Sequence, residues 1–128
     1  MNPLIHLEKL IPMLIVVGAC DGFLPATKAV SPPPDGGYPN ANTAEGDNAL
    51  FSLTTGFGNT ANGASALFGN QTGDDNTATG INTLFNNNSG NRNTATGANA
   101  LSNNTNGFDN TANGVAALIS NTSGSSAV

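Results

Sequence analysis

The chain has 128 residues, of which 16 are Gly, one is Tyr, none is Trp and only 9% are charged. Its formal net charge of −5 argues against nucleic acid or anionic lipid as a partner, because no basic patch could neutralise phosphate groups. The length suits a single domain, and the low charge is not the usual signature of a disordered chain.

Residues 1–29 are predicted to be an export signal. They contain the apolar run Leu10–Ala19, which is shorter than the roughly 20 apolar residues of a membrane-spanning helix. Two cleavage sites compete. Thr27-Lys28-Ala29 carries small residues at positions −3 and −1 of an ordinary signal peptidase site, whereas the sequence that ends at Cys20 resembles a bacterial lipobox. The ordinary site is preferred because only it removes the apolar residues that follow the cysteine.

Residues 30–41 are predicted to be a Pro/Gly-rich linker. Three consecutive prolines, Pro32–Pro34, are followed by Asp-Gly-Gly, which is typical of an extended arm that ends in a turn. A solvated linker is the simpler interpretation. The alternative is a docking peptide built around Tyr38, the only tyrosine.

Residues 42–126 consist of one unit of 17 residues written five times without a gap, and residues 127–128 form a short tail. The copies begin at Asn42, Asn59, Asn76, Asn93 and Asn110. Six columns never vary: Asn at position 1, Thr at 2, Ala at 3, Gly at 5 and 15, and Leu at 9. Because each copy must fit the same backbone as its neighbours, this period predicts an all-β parallel β-solenoid, or β-roll, with one 17-residue coil per repeat.

The Ala column at position 3 and the Leu column at position 9 are predicted to form the core. One repeat cannot bury a single Leu and a few Ala alone, whereas stacking places each Leu on the next and closes a narrow core. The predicted core residues are Ala44, Leu50, Ala61, Leu67, Ala78, Leu84, Ala95, Leu101, Ala112 and Leu118.

Each repeat contains two glycine columns, which predict two corners per coil, and the Asn column at position 1 is suited to an amide ladder. Positions 2–4 alternate polar, small and polar residues, which predicts a short strand with Ala inward and Thr outward. Positions 6–10 fit a strand or one helical turn, since Ile81, Leu84 and Phe85 are spaced i, i+3, i+4. A strand or an extended arm is preferred there, because the flanking Asn and Gly leave little room for a helix.

Two further columns are expected on the outside of the coils. The aromatic residues at position 10, next to the inward Leu, are expected to point outward and form a subunit interface; they are Phe51, Phe68 and Phe85. The charged residues at position 17 are expected to stack as a ladder with Arg92 between two carboxylates; they are Asp75, Arg92 and Asp109.

The unit Asn-Thr-Ala-x-Gly-x-x-Ala-Leu-x-x-Asn-x-x-Gly resembles repeats of bacterial exported proteins. Such repeats occur upstream of intramolecular chaperone domains of the phage endosialidase type, and they are similar to the head repeats of trimeric autotransporter adhesins. The resemblance covers about residues 29–126. It implies a β-solenoid or β-roll, often trimeric, that is secreted or on the cell surface, and it transfers no catalytic residue. Position 4, often Val or Ile in such repeats, is Glu, Asn or Thr here.

The sequence after residue 29 contains no catalytic constellation. The only His is His6 and the only Cys is Cys20, and both precede the preferred cleavage site. The Gly-Gly-x-Gly-x-Asp unit of calcium-binding β-rolls is also missing. We therefore predict no enzyme activity, no cofactor and no metal site.

The predicted function is a non-enzymatic, exported structural or adhesive surface module. A homotrimer is the expected assembly, and a glycan or another environmental surface is the expected target. One alternative is an ice- or glycan-binding solenoid that uses the Thr column at position 2. Another is a fragment of a longer trimeric fibre protein. The predicted location is the bacterial cell surface or the extracellular space, with lipid anchoring at Cys20 if the lipobox is used.

Overall fold

The computed structural model describes residues 38–128, so the predicted export signal and most of the predicted linker lie outside the described residues. A short 3-10 turn, Pro39–Ala41, precedes five strands of three residues each. The strands are β1 Thr43–Glu45, β2 Thr60–Asn62, β3 Thr77–Thr79, β4 Thr94–Thr96 and β5 Thr111–Asn113.

The strands form one parallel sheet in the order β1-β2-β3-β4-β5. Each strand pairs with the next at a shift of one repeat, so that Thr43 lies beside Thr60 and Ala44 beside Ala61. The same register holds for the other three strand pairs. The prediction of an all-β parallel solenoid is therefore confirmed, with four complete turns of 17 residues between the first strand and the last.

Each strand is followed by two consecutive tight turns. In the second repeat, the Ala66 N–H donates to the Gly63 carbonyl at 3.1 Å, and the Asn70 N–H donates to the Leu67 carbonyl at 3.1 Å. The position-5 glycines have φ between 122° and 138°, a region in which other side chains are strained. The prediction of a strand or extended arm over positions 6–10 is wrong, and a helical turn does not form there either.

The position-9 leucines adopt a left-handed backbone, with φ between 49° and 51°. This conformation costs a residue with a side chain about 1–2 kcal/mol. Burial offsets that cost, since Leu67, Leu84 and Leu101 are completely buried and a buried Leu contributes roughly 1.5–3 kcal/mol.

The core is a narrow column of small and aliphatic side chains. The position-3 alanines are at most 3% exposed, while Leu118 in the last coil is only partly buried. Position 8 adds a third column, which the sequence analysis did not include: Ala49, Ala66 and Ala100 are buried, and Thr83 replaces Ala in the third coil. The Thr83 hydroxyl donates to the Gly97 carbonyl at 2.7 Å, which satisfies the polar group inside the core.

Backbone hydrogen bonds join neighbouring coils well beyond the strands. The Leu50 N–H donates to the Ala66 carbonyl at 3.0 Å, and the Gly63 N–H donates to the Glu45 carbonyl at 2.7 Å. The turns are therefore paired between coils in the same way as the strands. Backbone hydrogen bonds join consecutive coils along most of their length.

The last residues of the predicted linker contact the first coil. Tyr38 packs against the core, and the Asn40 carbonyl accepts the Gly58 N–H at 3.0 Å. The Pro39 carbonyl accepts the Asn42 side-chain amide at 2.7 Å. These contacts cover one end of the stack, where Leu50 is only 4% exposed.

We expect Leu84→Ala to lower the free energy of unfolding by about 2–5 kcal/mol, because the middle coil cannot collapse onto the space that is left. Leu118→Ala removes the same atoms from a partly buried position and should cost clearly less. Urea denaturation of both variants measures the difference. Equal losses would contradict the looser packing of Leu118 in the last coil.

Candidate functional site

A ladder of buried Asn side chains at position 1 runs along the described coils. Each amide nitrogen donates to the amide oxygen of the Asn one coil earlier, and all four of these contacts measure 3.0 Å. The members are Asn42, Asn59, Asn76, Asn93 and Asn110, none more than 5% exposed. The ladder that the sequence suggested is therefore present.

The hydrogen-bonding capacity of a ladder Asn is fully used. For Asn76, one amide hydrogen goes to Asn59 Oδ1 at 3.0 Å and the other to the Gly90 carbonyl at 2.8 Å. Its own oxygen accepts both the backbone N–H and the side-chain amide of Asn93, each at 3.0 Å. Two donors and two acceptor sites complete the inventory of a primary amide, so neither polar atom of the Asn76 side chain is left without a partner.

A second Asn ladder runs parallel to the first at position 12. Asn87 donates to Asn70 at 2.9 Å, and Asn104 donates to Asn87 at 2.7 Å. Each member also donates to the position-15 Gly carbonyl of its own coil, for example Asn70 to Gly73 at 3.0 Å. The first coil has Leu53 at this position, so the second ladder begins one coil later.

The position-15 glycines connect the two ladders. The Gly73 carbonyl accepts one amide hydrogen from Asn59 at 2.8 Å and another from Asn70 at 3.0 Å. A Cβ on Gly73 would collide with Asn70 Oδ1 and with the carbonyl oxygen of Gly90. These glycines are not among the residues with positive φ, so close approach is what demands them.

The outer face of the sheet carries threonine hydroxyls in register. The position-2 threonines are all exposed and lie beside one another across the five strands; they are Thr43, Thr60, Thr77, Thr94 and Thr111. Thr79 and Thr96 extend the array to a second column, which is completed by Glu45 and two Asn residues.

The three phenylalanines at position 10 form a stack along the outside of the coils. The ring centroids of Phe51 and Phe68 are 5.2 Å apart at an interplanar angle of 3°, and those of Phe68 and Phe85 are 4.9 Å apart at 5°. Phe51 is 68% exposed, whereas Phe68 and Phe85 are half-buried. The ring faces are thus largely used within the chain, and the ring edges point outward.

The aromatic stack ends at the fourth coil, where position 10 is Ser102. A shallow depression of about 200 Å³ lies at this point. It is lined by Asn82, Phe85, Asn86, Asn99, Ser102 and Asn103. The lining combines one aromatic ring with four amides and a hydroxyl, and it contains no charged side chain.

Arg92 makes its ion pair with one of the two carboxylates that the sequence placed beside it. Its Nε donates to Asp109 Oδ1 at 2.7 Å and its Nη2 to Asp109 Oδ2 at 3.1 Å. The hydrogen bond and the positive charge of Arg92 lower the pKa of Asp109 and, reciprocally, raise the pKa of Arg92. In the described part of the chain, Asp75 forms no ion pair with Arg92 and acts on its pKa only through space.

The described residues offer no group of three or more His, Cys, Asp or Glu side chains that could hold a metal ion. The Asp74 carboxylate accepts the Phe57 N–H at 2.9 Å. Burial, followed by the negative charge of Glu45, raises the pKa of Tyr38.

Within residues 38–128, no helix is long and apolar enough to cross a membrane.

Sequence reasoning missed the position-12 ladder and the depression beside Phe85. A signal for the first was present, since Asn70, Asn87, Asn104 and Asn121 recur at the period of the repeat. The depression had a weaker signal, which is the change from Phe to Ser at position 10 in the fourth repeat.

Searches of protein-family models, of curated proteins and of solved structures found no match to this chain.

We expect Asn76→Ala to lower the free energy of unfolding by roughly 2–5 kcal/mol, because two buried donors of Asn93 would lose their acceptor. Asn62→Ala is the matched control, since Asn62 is exposed on β2. Thermal and urea unfolding measure both. A loss for Asn76→Ala no larger than that of the control would show that the ladder does not stabilise the fold.

The Arg92–Asp109 pair predicts a small stability difference that depends on pH. Because the folded pKa of Asp109 lies below its ordinary value of 3.8, the pair contributes above that pH and is lost as the pH falls through the folded value. Asp109→Asn should therefore melt below the parent at neutral pH and equal it in strong acid, with a smaller gap at high salt.

The matched control for this experiment is Asp75→Asn, which removes a carboxylate one coil away without breaking the ion pair. It should change the pH dependence less than Asp109→Asn. The reverse order would identify Asp75 as the main partner of Arg92 in solution.

Proposed function

We propose that this protein is a non-enzymatic, exported structural or adhesive surface module. The observation that supports this proposal is the division between the inside and the outside of the coils. The buried Asn amides use their hydrogen bonds to join one coil to the next. The outside of the coils carries regular arrays of Thr and Phe. A rigid scaffold that repeats its surface at a fixed spacing suits display and contact better than it suits catalysis.

The resemblance of the repeat unit to bacterial exported repeats and to autotransporter adhesin heads supports the same proposal. It gives the cell surface or the extracellular space as the expected location, and a homotrimer as the expected assembly. The exposed ring of Phe51 and the edges of the stack are the apolar surface on which such self-association would rest. A surface glycan or another environmental surface is the expected target.

The proposal predicts that bacteria producing the full-length chain with a C-terminal epitope tag will expose the tag to antibody and to added protease. The control is the same chain without residues 1–29, which should remain protected inside intact cells. Protection of the full-length chain from both reagents would reject export to the surface.

The proposed assembly is tested separately on the purified chain. Light scattering should give three times the mass of one chain, and Phe51→Ser should shift the particle toward the monomer. If the protein is a monomer at every concentration, the proposed trimer is rejected. The surface location is tested independently by the exposure of the epitope tag.

A second candidate function is recognition of ice or of a regular glycan lattice by the Thr face. The observation that favours it is the in-register array, in which hydroxyls repeat at about 4.8 Å along the stack. Thermal hysteresis of the purified protein should then be measurable and should fall in Thr77→Tyr, which adds bulk at the centre of the array. A parent without hysteresis eliminates ice as the ligand.

A further inference from the structure

We propose that the depression at the end of the aromatic stack binds one pyranose ring of a neutral saccharide. The inference deepens the adhesive part of the proposed function and rests on it. It assigns a chemical class of ligand and a place on the molecule, formed by the third and fourth coils beside Phe85. This place is distinct from the Thr face of the sheet.

The aromatic stack is interrupted beside this depression. Phe68 covers one face of the Phe85 ring at a centroid distance of 4.9 Å. In the next coil the column continues with Ser102, whose side chain is too short to cover the other face. Phe85 and Ser102 both line the depression, so part of the Phe85 ring borders the space beside Ser102. An aromatic face is electron-rich, and the C–H groups on one side of a sugar ring carry the complementary partial positive charge.

Four Asn side chains form a polar rim around the depression. Asn82 and Asn99 are half-buried, and their side-chain amides make no hydrogen bond to another described residue. Asn86 and Asn103 share only one long contact of 3.3 Å. An amide both donates and accepts, as a sugar hydroxyl does, so these groups can bond to hydroxyls at the edge of a ring that lies on Phe85.

The repeat pattern also distinguishes the two coils that form the depression. Asn stands at both position 7 and position 11 only in the third and fourth repeats, which are the two that form the depression. Position 7 has a backbone reason to favour Asn, because its φ is 54° at Asn82 and 59° at Asn99. Position 11 has no residue with positive φ, so the left-handed backbone does not account for Asn86 and Asn103.

The volume of the depression, its uncharged lining and the net charge of the chain narrow the class of ligand that it can bind. A volume of about 200 Å³ is below the roughly 300–1,000 Å³ of pockets that enclose drug-sized ligands, and it suits a single ring. A nucleobase could also stack on Phe85, but the net charge of −5 opposes a phosphate-bearing ligand. The lining has no cation for an acidic sugar and no anion for an amino sugar, which favours a neutral one.

The test is a printed array of neutral, acidic and amino oligosaccharides, with adenosine and adenosine monophosphate as comparators, probed with the full-length chain. We expect binding to neutral glycans, weak and on the order of millimolar because one ring is contacted in a shallow site. Ser102→Phe continues the stack and fills the depression, so it should lower binding at least about tenfold while the protein melts no lower than the parent.

Ile119→Phe is the matched control, because it adds the same side chain to the same column one coil beyond the depression. It should bind as the parent does. Asn103→Ala, which leaves the ring uncovered, should retain the fold and weaken binding about threefold or more. In the parent labelled with ¹³C at phenylalanine, the bound glycan should shift the Phe85 ring signals more than those of Phe51.

Three results would overturn the inference: no binding to a neutral glycan, binding that Ser102→Phe leaves unchanged, or stronger binding to adenosine or to charged sugars. None of them bears on whether the chain reaches the cell surface, which the tag exposure measures. Conversely, if the chain proves not to be exported, the glycan-array binding and the phenylalanine ring signals of the purified protein still test the saccharide site.

Discussion

The buried amide ladder at position 1 is the constraint on which the rest of the structure depends. A buried amide that lacks partners costs about 1–3 kcal/mol for each unpaired group, and this ladder satisfies every group only when consecutive Asn residues lie one coil apart. A slip of the backbone by one residue would present the position-2 Thr or the preceding position-17 residue in place of Asn. The period of 17 residues is therefore fixed from inside, and the second ladder reinforces it through the shared Gly carbonyls.

The two Asn ladders compensate for a modest apolar core. The buried apolar side chains of the described residues are only Ala and Leu, and Ala contributes little apolar area. Hydrogen bonds between coils therefore carry an unusual share of the cohesion. They are directional, so they specify register more sharply than an Ala-rich core could. The same geometry explains why the position-8 column accepts Thr83, whose hydroxyl finds a carbonyl in the next coil.

Because the interior fixes the spacing, the outside can vary without disturbing the fold. Columns of identical residues produce arrays, such as the hydroxyls of the sheet and the stacked rings of Phe51, Phe68 and Phe85. Breaks in a column produce single places with their own chemistry. The replacement of Phe by Ser102 gives a depression beside an aromatic ring, and the single Arg92 gives one ion pair. A solenoid of this kind can thus combine a repeated surface with local recognition.

The repeat period by itself determined the solenoid, the strand at positions 2–4 and the Asn column, because each identical column must stack on itself. It also brought Arg92 to within one coil of two carboxylates, but only the folded backbone decided that Asp109 is the partner. The path of positions 6–10 could not be predicted, since the left-handed backbone of Leu67 and its counterparts contradicts the local preference of Leu and is sustained by burial. The depression beside Phe85 likewise exists only in three dimensions, because it is formed by side chains of two coils that stacking brings together.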